Sequence, residues 1–153
     1  MGGTTLDVNT VVERVAGLLL DPERVKYGEA EVLAGLRLAL GELSLRAGEP
    51  YTLAGLDGVT ETTLPATLET LLVIGAAGYA ALARAGARAD WELQDEGEFQ
   101  RLQSWAEGRL GDFRKVMGTL FPVNMPRVGD QHRSQAPWAA WHGALGEEEK
   151  GNL

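Results

Sequence analysis

Cysteine is absent from the 153-residue chain, and histidine occurs only twice. No disulfide and no thiolate metal site can therefore form, whereas both oxidising and reducing compartments tolerate a chain without cysteine. The two histidines, His132 and His142, lie in one segment in which Asp130 is the only nearby acid. Metal sites need further ligands at close spacing, so we interpret both as surface histidines and expect no bound metal.

The usual catalytic motifs are also missing. The sequence contains no P-loop, no dinucleotide-binding glycine fingerprint, no nucleophile-elbow serine and no metalloprotease helix motif. Its serines are Ser44 and Ser104, on predicted helix surfaces, and Ser134, close to His132 in a segment without periodicity. A catalytic pair must be held rigidly, so we expect no catalytic residue and no cofactor site. An enzyme whose site is assembled from scattered residues remains an alternative.

The charge balance disfavours a protein that wraps nucleic acid. The net charge is −8 and the sequence pI is about 4.8, whereas phosphate binding needs clustered lysine and arginine.

The first residues have neither a basic region nor an apolar one, so we expect no signal peptide. The longest uncharged run, residues 70–83, is shorter than the roughly 20 residues that a bilayer requires. We therefore expect a buried helix there and no membrane contact.

Apolar periodicity predicts an all-α fold, a small bundle of about four helices. Apolar residues recur at spacings of three and four in the predicted helices, at residues 7–20, 29–47, 65–85 and 91–120. Asp7 suits the N-cap of the first helix, Gly48 the end of the second and Pro65 the start of the third. Asp90 suits the N-cap of the fourth, with a break expected near Gly97. The segment at residues 75–81 is rich in small residues, which favours a central core helix.

The second predicted helix carries two apolar faces. One face comprises Leu33, Leu36, Leu40, Leu43 and Ala47, and the opposite face comprises Ala34, Leu38, Gly41 and Leu45. Arg37 and Ser44 separate the two faces on one side, and Glu31, Glu42 and Arg46 separate them on the other. A helix with two apolar faces is buried on two sides. The second face could pack between subunits or beneath the chain's own tail, and both interpretations stay open.

The remaining segments connect or extend the helices. Residues 49–64 contain Asp57-Gly58, a favoured hairpin turn, so this connector is compatible with a short β-hairpin or with a plain loop. After residue 118 the periodicity vanishes and prolines exclude a long helix. We therefore divide the chain into a helical domain, residues 1–118, and an extended C-terminal arm, residues 119–153.

Aromatic and aliphatic side chains in the arm indicate that it binds something. Its candidate anchors are Phe121, Trp138, Trp141 and Leu145. Large aromatic side chains are enriched at the centres of interfaces, and unstructured tails are poor in them. The arm could dock on a partner, on a neighbouring subunit or on its own domain.

This layout resembles the head–tail adaptor, or connector, proteins of tailed bacteriophages. The similarity lies in an opening helix that leads into Leu19-Leu20-Asp21-Pro22, the helix at residues 32–44 and a loop that ends in Leu64-Pro65. An apolar helix, a long amphipathic helix and a C-terminal arm complete the pattern, which covers residues 6–120. The unusually alanine- and glycine-rich third helix and the long tryptophan-bearing tail depart from the family pattern.

The resemblance implies a structural virion protein made in the host cytoplasm and located at the head–tail interface. It implies a ring of copies, typically twelve, between the portal protein and a tail or stopper protein. DNA would pass through the ring without specific binding, since an acidic wall repels phosphate. The family brings no catalytic residue. The alternative is another small helical protein-binding module, either a neck or tail component or a cellular regulator.

Overall fold

The computed structural model describes residues 6–91 and 96–123, without the side chains of residues 88–91 and 96. Four helices form within these ranges: α1 (Val8–Leu18), α2 (Glu29–Ala47), α3 (Glu69–Trp91) and α4 (Glu96–Leu120). A 3₁₀ turn at Ala66–Leu68 leads into α3. The described residues contain no strand, so the prediction of an all-α fold with about four helices is confirmed.

The first two helices begin and end where local chemistry favours it. The Asp7 carboxylate accepts a hydrogen bond of 2.8 Å from the Thr10 backbone N–H, which makes Asp7 the predicted N-cap of α1. Helix α2 spans the predicted residues and ends at Gly48, whose φ of 77° lies in the left-handed region. Glycine adopts this conformation without steric cost, which is why it terminates helices so often.

Helix α3 is the central element of the bundle. It contacts α1, α2 and α4, and α1 also packs on α2. Its small residues allow large side chains of α4 to pack closely: a Cβ atom added at Gly75 would lie 2.8 Å from the Phe113 ring, and one at Gly78 would lie 2.9 Å from Leu110. The prediction of a central core helix therefore holds, and the glycines of α3 have a packing role.

The central position of α3 in the bundle explains its apolar character. Residues 66–87 are long and apolar enough to cross a membrane by length and composition, and 56% of the most apolar window is buried inside the protein. The core helix of a bundle meets the same criteria. Contacts with the three other helices favour the core interpretation.

The connector between α2 and the 3₁₀ turn is a loop, not a hairpin. Asp57 and Gly58 form the expected turn with φ values of 53° and 80°, closed by a 3.1 Å hydrogen bond from Val59 N–H to the Leu56 carbonyl. Backbone hydrogen bonds cross the connector at two places, from Gly55 N–H to the Val59 carbonyl (2.8 Å) and from Thr63 N–H to the Thr52 carbonyl (3.1 Å). Threonine side chains supply further bonds: Thr63 Oγ1 accepts from Thr52 N–H, and Thr62 Oγ1 accepts from Ala54 N–H. Such side-chain bonds compete with strand pairing.

Two predicted boundaries were wrong. Helix α3 continues to Trp91 instead of ending near residue 85, so Asp90 lies inside α3 and does not cap α4. Helix α4 begins at Glu96, close to the break expected at Gly97, instead of at residue 91, and ends at Leu120 as predicted, so it includes the first two residues of the segment assigned to the arm. The chain divides into two units after Pro122, and the first unit contains all four helices.

Candidate interaction surface

The outer face of α2 carries an apolar strip. Its four members are the residues predicted to form an interface, Ala34, Leu38, Gly41 and Leu45, and all four are exposed. Leu38 is 57% exposed and Leu45 is 84% exposed. The opposite face of the helix, with Leu36 and Leu43 at 0% exposure, lies in the core. The strip is therefore exposed along its length, whereas the inner face packs into the bundle and is buried at Leu36, Leu40 and Leu43.

Polar residues on one flank of this strip are bound to the connector. The Arg37 guanidinium holds the Asp57 carboxylate, with distances of 3.0 and 3.1 Å from Nε to the two oxygens and 2.8 Å from Nη2 to Oδ1. These hydrogen bonds hold the pKa of Asp57 below its ordinary value. Further along, Ser44 Oγ accepts a 3.0 Å hydrogen bond from Tyr51 N–H. Both side chains thus hold the connector against α2.

Polar residues on the other flank are bound to α3 and α4. Arg114 Nε donates to Glu42 Oε1 at 2.9 Å, and Arg114 Nη2 donates to Tyr79 Oη at 3.2 Å. Tyr79 Oη in turn donates to Glu42 Oε2. Burial, followed by the hydrogen bond to the Glu42 carboxylate, raises the pKa of Tyr79 above its ordinary value. We refer to Glu42, Tyr79 and Arg114 as the three-helix clamp, because each side chain comes from a different helix.

The C-terminal end of α2 is also the place where α4 ends. Arg46 Nε donates a 3.2 Å hydrogen bond to the carbonyl oxygen of Phe121. Phe121, the first predicted anchor of the arm, is half-buried and packs against the core of the bundle. The other predicted anchors, Trp138, Trp141 and Leu145, lie outside the described residues, so their role stays a prediction.

The strip could be predicted from the sequence, but the hydrogen bonds beside it could not. Arg37, Ser44, Glu42 and Arg46 were expected only to separate two apolar faces, yet each of them binds another part of the chain. These partners lie between 7 and 75 residues away along the sequence. No local pattern marks such pairs, because groups far apart in sequence meet only through the fold.

Of the residues considered for catalysis or metal binding, Ser44 and Ser104 lie within the described ranges. Ser44 is occupied by its hydrogen bond to Tyr51, and Ser104 is exposed. Within residues 6–91 and 96–123, no group of three or more histidine, cysteine, aspartate and glutamate side chains could hold a metal ion. His132, Ser134 and His142 lie outside these ranges.

The fold and the strip define the chain as a small helical bundle with an exposed apolar helix face. No protein-family model, no curated protein and no solved structure matches this chain. What can be inferred about its function therefore depends on the residues and on the geometry described above.

Proposed function

We propose that this protein is a structural assembly protein of the head–tail adaptor class, which forms a ring between the portal and the tail of a bacteriophage particle. The observation that carries the proposal is the exposed apolar strip on α2. Leu38, in the middle of α2, and Leu45, in its last turn, present large aliphatic side chains to solvent. Burying apolar surface of this kind is the main driving force of association between proteins.

The bonds on both flanks of the strip support its assignment to a partner. The connector is held on one side by Arg37, and α4 is held on the other by Glu42 and Arg46. Neighbouring elements are therefore fixed beside the strip and leave its apolar residues exposed. A rigid, preformed surface loses little conformational entropy on binding, which favours stable docking.

The site at which α4 ends fits the same assignment. Phe121 is attached to the C-terminal end of α2 through Arg46, close in sequence to the exposed Leu45. The arm therefore begins at the end of the helix that carries the strip. We propose that the strip packs against a neighbouring copy and that the arm, with Trp138, Trp141 and Leu145, docks on the portal or on that copy.

The net charge of −8 is compatible with a DNA channel. A wall of negative charge repels phosphate, so DNA could move through the ring without binding to it. The alternative proposal, another small helical protein-binding module, uses the same strip but requires neither a ring nor a portal. The two proposals differ in the partner that the strip recognises.

Copurification with a portal ring tests the adaptor proposal. The chain would be coexpressed with the portal protein of the same phage genome, as wild type, as Leu45→Glu and as Leu20→Glu. Leu20 is a matched control because it is 86% exposed but lies outside the strip. We expect the wild type and Leu20→Glu to copurify with the ring, and Leu45→Glu to be lost. A folded wild-type chain that leaves the portal ring unbound would overturn the adaptor proposal.

A further inference from the structure

A second surface feature lies at the other end of the bundle from Phe121. A cleft with a volume of about 330 Å³ opens between the loop after α1, the C-terminal half of α3 and the first turns of α4. Three cationic side chains line it, Lys26, Arg84 and Arg101. Its apolar lining comes from Leu19, Leu102 and Trp105, all of them half-buried.

One wall of the cleft is held in place by a buried carboxylate. Asp21 is only 6% exposed, and its oxygens accept hydrogen bonds from three successive backbone N–H groups, those of Val25 at 3.0 Å, Lys26 at 2.9 Å and Tyr27 at 2.8 Å. Such bonds fix the loop that carries Lys26 and Tyr27. The position of Lys26 is therefore set by the fold.

Arg84 joins this loop to α3. Its guanidinium lies 5.1 Å from the centre of the Tyr27 ring and donates a hydrogen bond to the Lys26 carbonyl oxygen. A cation over an aromatic face is attracted by the ring quadrupole. Arg84 is thus held at the cleft, and the cleft is formed without any ligand.

The composition of the cleft indicates the chemistry of its ligand. Three cations and one carboxylate, that of Glu98, line it, which gives a local formal charge of +2 (3 − 1) in a chain whose net charge is −8. The Glu98 carboxylate and the apolar lining disfavour a bare polyphosphate or a DNA backbone. They favour a peptide in which an aliphatic side chain precedes several carboxylates.

The arm of this protein contains such a sequence. Residues 144–149 read Ala-Leu-Gly-Glu-Glu-Glu, in which Leu145 precedes the acidic run Glu147 to Glu149. We propose that residues 144–149 of one copy bind in the cleft of a neighbouring copy, with Leu145 against the apolar lining and the carboxylates on Lys26, Arg84 and Arg101. This inference rests on the proposed ring, because a ring places copies side by side.

The length of the arm permits this contact. The 23 residues from Val123 to Leu145 can span up to roughly 75 Å when extended. The 25 residues of α4 measure about 37 Å, so an extended arm is longer than the bundle. Copies linked in this way would form a closed ring in which each subunit holds the next.

Paramagnetic relaxation between two copies tests the contact. Because the chain has no cysteine, Gly151→Cys places a single spin label two residues after the acidic run, directly after Lys150. The full-length chain that carries the spin label contains no ¹⁵N. It would be mixed with ¹⁵N-labelled full-length wild type, which carries no spin label. We expect broadening of the Lys26 and Leu102 amide signals in the mixed sample, and its loss at high salt, because salt screens charges.

Charge variants identify the cations responsible. Arg101→Glu in the ¹⁵N-labelled chain should abolish the broadening, whereas Lys115→Glu, an exposed cation on the same helix outside the cleft, should leave it unchanged. Glu148→Arg in the spin-labelled chain should restore the broadening in the ¹⁵N-labelled Arg101→Glu chain, because the two charges are then exchanged. Broadening that persists in Arg101→Glu alone would overturn the proposed electrostatic contact.

Other outcomes separate this inference from the proposed function. Broadening could occur only in a chain that carries both the spin label and ¹⁵N, and not in the mixed sample. That result would mean that the arm binds its own domain, and it would overturn the proposed contact between copies. Displacement of the arm by a short DNA duplex but not by a peptide of residues 141–149 would assign the cleft to nucleic acid instead. A chain that copurifies with a portal ring but shows no broadening would overturn this inference alone.

Discussion

Gly35 of α2 packs directly against the backbone of Ala76 in α3: a Cβ atom on Gly35 would lie 2.6 Å from the Ala76 carbonyl oxygen and 3.0 Å from the Ala80 nitrogen. Real Cβ atoms do not approach backbone atoms so closely, so the two helices must move apart in Gly35→Ala. We expect this variant to lower the free energy of unfolding by about 1–3 kcal/mol, as measured by chemical denaturation.

Gly41 of the same helix provides the matched control. A Cβ atom there would meet nothing within 4 Å, because Gly41 lies on the exposed strip. Gly41→Ala should raise the free energy of unfolding of the isolated chain by up to about 1 kcal/mol, since alanine favours helix more than glycine does. An increase in the free energy of unfolding in both variants would show that the backbones of α2 and α3 do not meet closely at Gly35.

The strip and the inner face of α2 should respond differently to a charge. Leu38→Glu and Leu45→Glu place the charge in solvent, so we expect the free energy of unfolding to change by no more than about 0.5 kcal/mol. Leu43 is 0% exposed, and even Leu43→Ala should cost about 2–5 kcal/mol. Thermal unfolding followed by circular dichroism measures both effects. Failure of Leu38→Glu or Leu45→Glu to fold would assign the strip to the chain's own core.

The three-helix clamp should couple Glu42 and Arg114. A double-mutant cycle with Glu42→Gln and Arg114→Met isolates their interaction, which we expect to contribute about 0.5–1 kcal/mol because the Arg114 side chain is 56% exposed and screened by solvent. The coupling should shrink as salt is added. A coupling energy indistinguishable from zero at low salt would show that the ion pair does not stabilise the bundle.

Asp21 should make stability depend on pH in the acidic range. Burial alone would raise the pKa of its carboxyl group, but the hydrogen bonds from the backbone N–H groups of Tyr27, Lys26 and Val25 outweigh burial and lower it. Because the folded pKa lies below the unfolded value of about 4, the stabilisation is complete above that value and is lost as the pH falls through the folded pKa. Asp21→Asn should therefore be less stable than wild type at neutral pH.

Denaturation at a series of pH values measures this difference. The gap between wild type and Asp21→Asn should narrow as the pH falls below 4, because the wild-type carboxylate then becomes protonated. A gap that stays constant from neutral to acidic pH would mean that the charge of Asp21 has no part in holding the loop.

Much of the helical pattern could be predicted from local signals. Asp7 and Gly48 mark helix ends through interactions within a few residues, so both were predicted and both are present. The end of α3 was missed because Gly86 is a weak helix breaker among alanines, which favour continued helix. The Asp57-Gly58 turn was recognised, but Leu53 and Leu56 bury their side chains in the core, and threonine side chains take part of the hydrogen bonding that a regular strand pair would make through its backbone.

The strip on α2 could be predicted because helical periodicity places Leu38 and Leu45 on one face. The clamp and the cleft could not, since both depend on pairs that are distant in sequence. Arg114 and Glu42 are separated by 72 residues, and Arg84 and Lys26 by 58. Which charged residues meet is decided by the packing of α3 between α2 and α4, and periodicity contains no information about that arrangement.

The number of copies bound to one portal ring tests the central proposal most directly. Native mass spectrometry of the copurified complex gives this number from the 16.4 kDa mass of the chain. A ring adaptor predicts many copies per portal ring, twelve if it follows the usual symmetry of the class, and far fewer for Leu45→Glu. A single copy per portal ring, or equal stoichiometry for wild type and Leu45→Glu, would contradict the proposal that the α2 strip joins neighbouring subunits.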